Sequence, residues 1–308
     1  MKYSVRHVTT YDYGRPVDLG AHLLHLSPRR LPWQTVLTAT VTAEPAPSRA
    51  ETGQDCFGND VTWLFMDAPH PRFQATLDAV VEVAAPAPPP AAATPPWRDV
   101  AAASIAGGPG AYEAAEFLFD SPLISVVGEA RDYAERSFPP QRPILEALLD
   151  LNGRIRRDFT FKADVTTVNT PVRQVLAQRA GVCQDFSNLM IAGLRALGLP
   201  ARYVSGYIRT YRSDDEKRHI GADASHAWVG CWMGPRYGWV DLDPTNGLVV
   251  ADEHVVLGWG RDFNDVSPLR GVILGGGEHD VEVSVDLTPV QPPVAGNLSP
   301  EPGSQGPH

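Results

Sequence analysis

"AGVCQDFSNLMIAGLRALGLP" runs from Ala180 to Pro200. Phe186, Leu189, Met190, Leu194 and Leu197 recur at spacings of three and four, which places them on one helical face. Gly198 and Pro200 supply an ordinary C-terminal stop. At the other end stands Cys183, one of three cysteines in 308 residues, in the first turn after Gly-Val. A helix N-terminus offers unpaired N–H groups and partial positive charge. Both favour a thiolate, and the same N–H groups can hold an oxyanion formed when sulfur attacks a carbonyl. Asp185, an acid in the same turn, competes for that dipole. A lone cysteine is most often a small buried hydrophobe, so the reading needs partners.

Two lie downstream. In "DASHAWVGCWM", strand alternation puts His226, Trp228, Gly230 and Trp232 on one face and Ala227, Val229, Cys231 and Met233 on the other. The tryptophans would shield the imidazole from water. In "GWVDLDPTNG", Trp239, Asp241 and Asp243 share a face. The two segments read as a hairpin turning at Gly234–Tyr237, which returns Asp243 toward His226. A carboxylate there fixes the tautomer of the imidazole and stabilises its charged form. A thiol at a helix start, an imidazole on a strand and a carboxylate on the next strand form the order of a Cys–His–Asp nucleophilic site.

The flanking chain is consistent with a mixed fold. Residues 1–84 are rich in Val, Thr and Tyr at strand spacing and read as an all-β domain. "APAPPPAAATPPW" (85–97) is a Pro/Ala linker or wrapped connection. "PILEALLDLNGRIRRDF" and "TPVRQVLAQRAG" read as helices, the second with Thr170 as N-cap, Pro171 at its first position and Gly181 past its end. "ARYVSGYIRTY" and "DVEVSVDL" read as strands. The predicted organisation is a β domain at 1–84, a linker at 85–97, a catalytic core at 98–287 and a disordered tail at 288–308.

Composition excludes several classes. The net charge of −10 disfavours nucleic acid or an anionic membrane as partner. No apolar run reaches a membrane span, since Arg195 interrupts the best candidate. The N-terminus lacks the apolar stretch of a signal peptide, so a cytoplasmic location is expected. Cys56, Cys183 and Cys231 do not suggest a disulfide framework, and Cys56 and Cys231 read as structural. His219, Asp223, His226 and Cys231 fit no zinc spacing, and alternation separates His226 from Cys231, so no metal is expected. His22 and His25 read as polar ends of a strand. "GGGEHD" (275–280) is a turn without P-loop form. The charged stretch from Arg209 to Asp223 is a solvated loop or a lid over the site.

The motifs "GVCQDFSNLMIAGLRALGLPARYVSGY", "SHAWV" and "GWVDLDPTNG" closely resemble the transglutaminase-like superfamily core. "HVTTYDYGRPV" and "DCFGNDV" look like the β domain that precedes this core in bacterial members, and "HVVLGWGRDFNDVSPLRGVILGG" resembles their usual continuation. The resemblance covers about residues 1–287. It implies an α+β fold with a papain-like core, in which the cysteine-bearing helix packs on an antiparallel sheet. It implies Cys183 as nucleophile, His226 as acid and base, and Asp243 rather than Asp241 as the third member. The implied chemistry is acyl transfer from a glutamine or peptide amide through a thioester, to an amine or to water. A protein or peptide substrate, with or without a small amine, is the expected partner, and no cofactor is needed. A cysteine protease or amidase using the same triad, or a catalytically silent binding or assembly protein of the same fold, is the alternative. The backbone N–H of Cys183 is the natural oxyanion donor; Gln178 and Gln184 are further polar candidates nearby.

Overall fold

The computed structural model describes residues 1–209 and 225–290. The chain opens with β1 (Lys2–Leu24), β2 (Gln34–Glu44), β3 (Arg49–Gln54), β4 (Asp60–Met66) and β5 (His70–Val83), in the order β2-β5-β1-β4-β3. A straight strand of β1's length would run to about 75 Å. The strand is continuous, but its ladder with β5 is interrupted at Gly14-Arg15-Pro16, where the register slips between Asp12 and Val17 and Pro16 has no N–H to give. Its first half pairs with β5 and its second half with β4. Tyr3, Val5, Phe73, Leu77 and Val81 are fully buried on one face, the two-residue alternation of a sheet with one covered side.

Residues 84–90 form no helix or strand, but they are pinned to the surface: the N–H of Ala85 donates to Asp252 Oδ1 at 2.7 Å. The helical layer follows as α1 (Trp97–Ala106), α2 (Ala111–Ala115), α3 (Gly128–Glu135) and α4 (Ile144–Asp158). Strand β6 (Thr160–Phe161) leads to α5 (Val172–Gln178) and β7 (Ala180–Gly181), which pairs parallel with β6. Helix α5 is capped at Pro171 and stops at Arg179 in the left-handed region. Thr170, the expected cap, instead accepts the N–H of Thr167 at 2.8 Å. Helix α6 (Cys183–Ala196) carries the apolar face read from the sequence; Phe186, Leu189, Met190 and Leu194 are all buried.

The second sheet comprises β8 (Ala201–Ile208), β9 (His226–Trp232), β10 (Trp239–Asp243), β11 (Leu248–Val249) and β12 (His254–Gly260), ordered β11-β10-β9-β8-β12 and antiparallel throughout. The β9–β10 hairpin closes through Gly234–Gly238, as expected. Ala227, Val229 and Cys231 meet α6 in one core, while Tyr207, Val255 and Leu257 complete the core of the first sheet. The outer edge of β12 is closed by side-chain amides of the β domain. Gln34 exchanges two hydrogen bonds of 2.8 Å with the backbone of Val256, and Asn59 exchanges two of 2.8 and 2.9 Å with Trp259. Each amide turns an N–H donor and its oxygen acceptor to the strand, which is what an unpaired edge requires.

After α7 (Phe263–Val266) the chain leaves the core. Strands β13 (Leu269–Gly275) and β14 (His279–Pro289) both pair with β1 and make the first sheet seven-stranded. Residues 269–287, expected within the core, thus pair into the first sheet, where β1 has a free side along each of its two halves. Residues 288 and 289, expected in the tail, are strand residues paired with β1. Gly275, Gly276 and Gly277 all have positive φ, forming the turn between the two strands. Among the described residues no helix is long and apolar enough to cross a membrane.

Candidate active site

Helix α6 begins at Cys183 because of what surrounds it. The N-cap is Val182, whose side chain has no acceptor. Asp185, the third helical residue, turns its carboxylate back instead; Oδ2 accepts from the N–H of Val182 and from the Thr166 hydroxyl, both at 2.7 Å. This is the back-reaching half of a capping box. A Cβ at position 181 would lie 2.6 Å from that oxygen, so the residue is Gly181. Burial pushes the Asp185 carboxyl up, partly offset by these two bonds. Asp185 thus serves the helix start instead of merely competing for its dipole.

His226 is the first residue of β9 and Asp243 the last of β10, and both are buried. His226 Nε2 donates to Asp243 Oδ2 at 2.9 Å. The Asp-Pro-Thr-Asn turn closes around the same carboxylate. The N–H groups of Thr245 and Asn246 reach Oδ1 at 2.9 and 3.2 Å, and Asn246 Nδ2 reaches Oδ2 at 2.8 Å. Burial alone would lower the imidazole pKa. The Asp243 charge, its hydrogen bond and the neighbouring Cys183 thiol reverse that and raise it. Burial would raise the Asp243 carboxyl, but the charge and hydrogen bonds of His226 and His254 hold it far below the usual carboxylate range. Nε2 is committed to Asp243, so Nδ1 is the nitrogen left for Cys183. It makes no formed hydrogen bond among the described residues, the slack expected of such a pair before substrate binds. Cys183 itself is half-buried at the helix start.

The other acid of the strand has different partners. Asp241 Oδ2 accepts from Trp228 Nε1 at 3.2 Å, and Oδ1 lies 3.7 Å from the Arg202 guanidinium. Arg202 is stacked against Trp239 and Trp259, 4.3 and 3.8 Å from their centroids. Of the two tryptophans expected beside the imidazole, Trp228 is there, with ring centroids 6.2 Å apart. Trp232 packs instead in the core beneath α6, because six residues of strand carry it about 20 Å away.

One neighbour was not read from the sequence. His254 opens β12, and its Nε2 lies 3.4 Å from Asp243 Oδ2. The signal available was a histidine at the head of the apolar run "HVVLGW", but its partner stands three strands away in sheet order. His226, Asp243 and His254 are chemically a donor set a metal could use. Two ligands of one tetrahedral ion stand about 3.3 Å apart with the ion between them. The 2.9 Å separation of His226 and Asp243 is a direct hydrogen bond.

Gln178 and Gln184 donate to the carbonyls of Ala180 and Val168 at 2.8 and 3.0 Å. His25 bridges Asp55 and the Ser267 carbonyl, both at 3.2 Å, and His22 is stacked on Phe73. Cys231 is buried and Cys56 exposed. Arg209 pairs with Glu253; the rest of the loop read as a lid, with His219 and Asp223, lies outside the described residues.

Comparison with known proteins matches both parts of the chain. Residues 3–82 match the bacterial transglutaminase-like N-terminal region, and residues 131–244 match the transglutaminase-like superfamily. An uncharacterized protein of Mycobacterium tuberculosis is 40% identical over 94% of this chain and 93% of its own length. One of Mycobacterium leprae is 30% identical over 92% and 97%. A protein-glutamine gamma-glutamyltransferase of Pseudomonas aeruginosa is 34% identical over 41% of this chain and 19% of its own. The crystal structure of a candidate cysteine protease from Cytophaga hutchinsonii shares the fold at a TM-score of 0.71, with 20% identity over 94% and 92% of the two chains. The chain therefore belongs to the transglutaminase-like superfamily, with the bacterial transglutaminase-like N-terminal region preceding its core.

Proposed function

We propose that this protein is a cysteine acyl-transfer enzyme acting on glutamine side-chain or peptide amides. The observation that carries the reading is the buried His226–Asp243 pair beside a half-buried thiol at a helix N-terminus. Cys183 Sγ attacks the amide carbonyl carbon, and the negative charge moves to the carbonyl oxygen. The N–H of Cys183, in the unbonded first turn of α6, faces that oxyanion. The tetrahedral species collapses, the C–N bond breaks, and the His226 imidazolium gives its proton to the departing nitrogen. The acyl group remains on sulfur as a thioester, and His226 is neutral. An amine or a water then attacks the thioester carbon, and His226 takes up its proton as Sγ leaves. Asp243 keeps Nε2–H fixed throughout, so that Nδ1 faces the sulfur.

Transfer to an amine is supported by the name of the Pseudomonas aeruginosa relative, a protein-glutamine gamma-glutamyltransferase. Hydrolysis uses the same residues and differs only in the acceptor. The deciding experiment incubates the protein with glutamine-containing proteins and peptides, with and without a labelled primary amine. Ammonia release with amine incorporation supports transfer, and backbone cleavage or ammonia release without incorporation supports hydrolysis. Full turnover by a Cys183→Ala variant would defeat both, and no turnover of any of these substrates by the parent protein would favour a binding or assembly role.

A further inference from the structure

The carboxylate of Asp243 is approached from three elements. His226 comes from β9 and Asn246 from the turn after β10. The third approach is from β12, on the far side of β8, where His254 points its Nε2 at the same Oδ2 at 3.4 Å. We propose that His254 is a positioning residue that holds the Asp243 carboxylate in the plane His226 requires. The inference rests on the acyl-transfer reading and adds a member to its site.

Reaching across the intervening strands β8 and β9 takes a specific arrangement. Gly206 of β8 pairs with both His226 and Val256. A Cβ there would sit 2.1 Å from the Val255 carbonyl oxygen and 2.4 Å from the Trp228 ring. The bare backbone lets the Trp228 ring lie over β8, where it meets the His254 ring edge-on at 5.3 Å between centroids. Trp228 is tied by its own N–H to Asp241, so it forms a fixed wall against His254. Strand β12 is held from its outer side by Gln34 and Asn59 of the β domain. The imidazole of His254 is buried. It has a defined place from strand, wall and partner, the condition for a group to orient another.

The consequence for Asp243 is chemical. His254 adds a donor to an oxygen that already receives His226 and Asn246, and it helps keep the carboxyl low. A carboxylate oxygen shared this way resists rotation, which would otherwise turn the His226 ring and move Nδ1 off the sulfur. His254 also forms part of the wall of a cavity of about 830 Å³, together with Trp239, Val256 and Trp259. A side chain of different shape at 254 therefore has space beside it. The position is suited to substitution.

The test compares His254→Phe and His254→Leu, which fill the site without a donor, with His254→Gln, whose amide donates. Alkylation of Cys183 by iodoacetamide is timed by mass spectrometry in each full-length protein, thermal midpoints are recorded, and the low-field imidazole proton of His226 is followed by NMR. We expect the Phe and Leu variants to label Cys183 roughly tenfold more slowly, the scale of one hydrogen bond to a charged group. Their His226 proton signal should shift, and Gln should restore both. Where Phe does not fold, Leu against Gln gives the same comparison. Parental labelling and an unmoved His226 signal in the folded Phe or Leu variant would overturn the inference and leave the acyl-transfer reading intact. A Gln variant as slow as Leu would reduce His254 to packing. A parent protein whose Cys183 labels no faster than Cys56 would remove the acyl-transfer reading itself.

Discussion

The molecule buries histidines in two ways. In the β domain, His7 and His22 lie against aromatic rings. His22 is stacked on Phe73 at 4.2 Å, and neither of its ring nitrogens has a hydrogen-bond partner among the described residues. His7 meets the hydroxyls of Tyr207 and Thr9. Burial lowers both to about 4, with the nearby His70 adding to the effect at His22. In the second sheet, His226 is at least as buried, yet its pKa is raised. The difference is a carboxylate at 2.9 Å, with the Cys183 thiol adding to its effect. Burial by itself makes a neutral ring; burial with an anion makes a cation beside a thiol, and only the second is of use for acyl transfer.

Removing the anion should convert the second kind into the first. Asp243→Asn keeps an oxygen for the N–H groups of Thr245 and Asn246 but presents no charge to His226. Turnover and Cys183 alkylation at neutral pH should fall by roughly 10²–10⁴-fold, the scale set by loss of the carboxylate from such a site. Parental rates would show that the pair is structural. Asp241→Asn, two residues away on the same strand, removes the charge opposite Arg202 instead. It should cost on the order of 3 kcal/mol in urea unfolding, while the folded variant labels Cys183 within about threefold of the parent. Equal kinetic losses from the two variants would erase the distinction drawn between them.

The backbone around the pair can be tested through Gly206→Ala. The added carbon meets the Val255 carbonyl and the Trp228 ring, and overpacking of this kind costs about 1–3 kcal/mol or more. Stability unchanged in denaturant titration would contradict the close approach of Trp228 to β8.

The smallest effect concerns pH, and its sign differs between the two regions. A histidine lowered on folding contributes stability in full above about 6.5, lost as the pH falls toward the folded value near 4. A histidine raised on folding does the opposite: its contribution is full below about 6.5 and lost as the pH rises through the folded value. The β domain is thus weakened on the acid side and the His226–Asp243 pair on the alkaline side. His22→Phe, which keeps a ring on Phe73 without titrating, should recover on the order of 1–3 kcal/mol of the loss between pH 6.5 and 4. A parallel pH–stability curve in the variant would mean that His22 is not buried neutral.

The sequence carried the second region better than the first. Cys183, His226 and Asp243 each stand at the end of an element with its own local grammar: a glycine and an acid at a helix start, a strand opening, an Asp-Pro-Thr turn. Helix periodicity and hairpin length then bring them near one another. Strands β13 and β14 were legible as extended chain, but their pairing with β1 joins segments more than 240 residues apart, and no local pattern encodes that. His254 was missed for the same reason, because its approach to Asp243 passes across β8 and depends on the absent side chain of Gly206. The partner of Asp241 was equally hidden; Arg202 gives no sign in the sequence that two tryptophans will hold it.

The most direct measurement is the labelling of all three thiols in one sample by iodoacetamide at neutral pH, resolved by mass spectrometry. Cys231 is sealed in the core, and Cys56 is exposed with its thiol pushed up by desolvation and by Asp55 and Asp265. Cys183 should label at least about tenfold faster than Cys56 despite being less exposed, with Cys231 unlabelled. Cys56 reacting as fast as Cys183 or faster, as exposure alone would dictate, would contradict an activated thiol at Cys183.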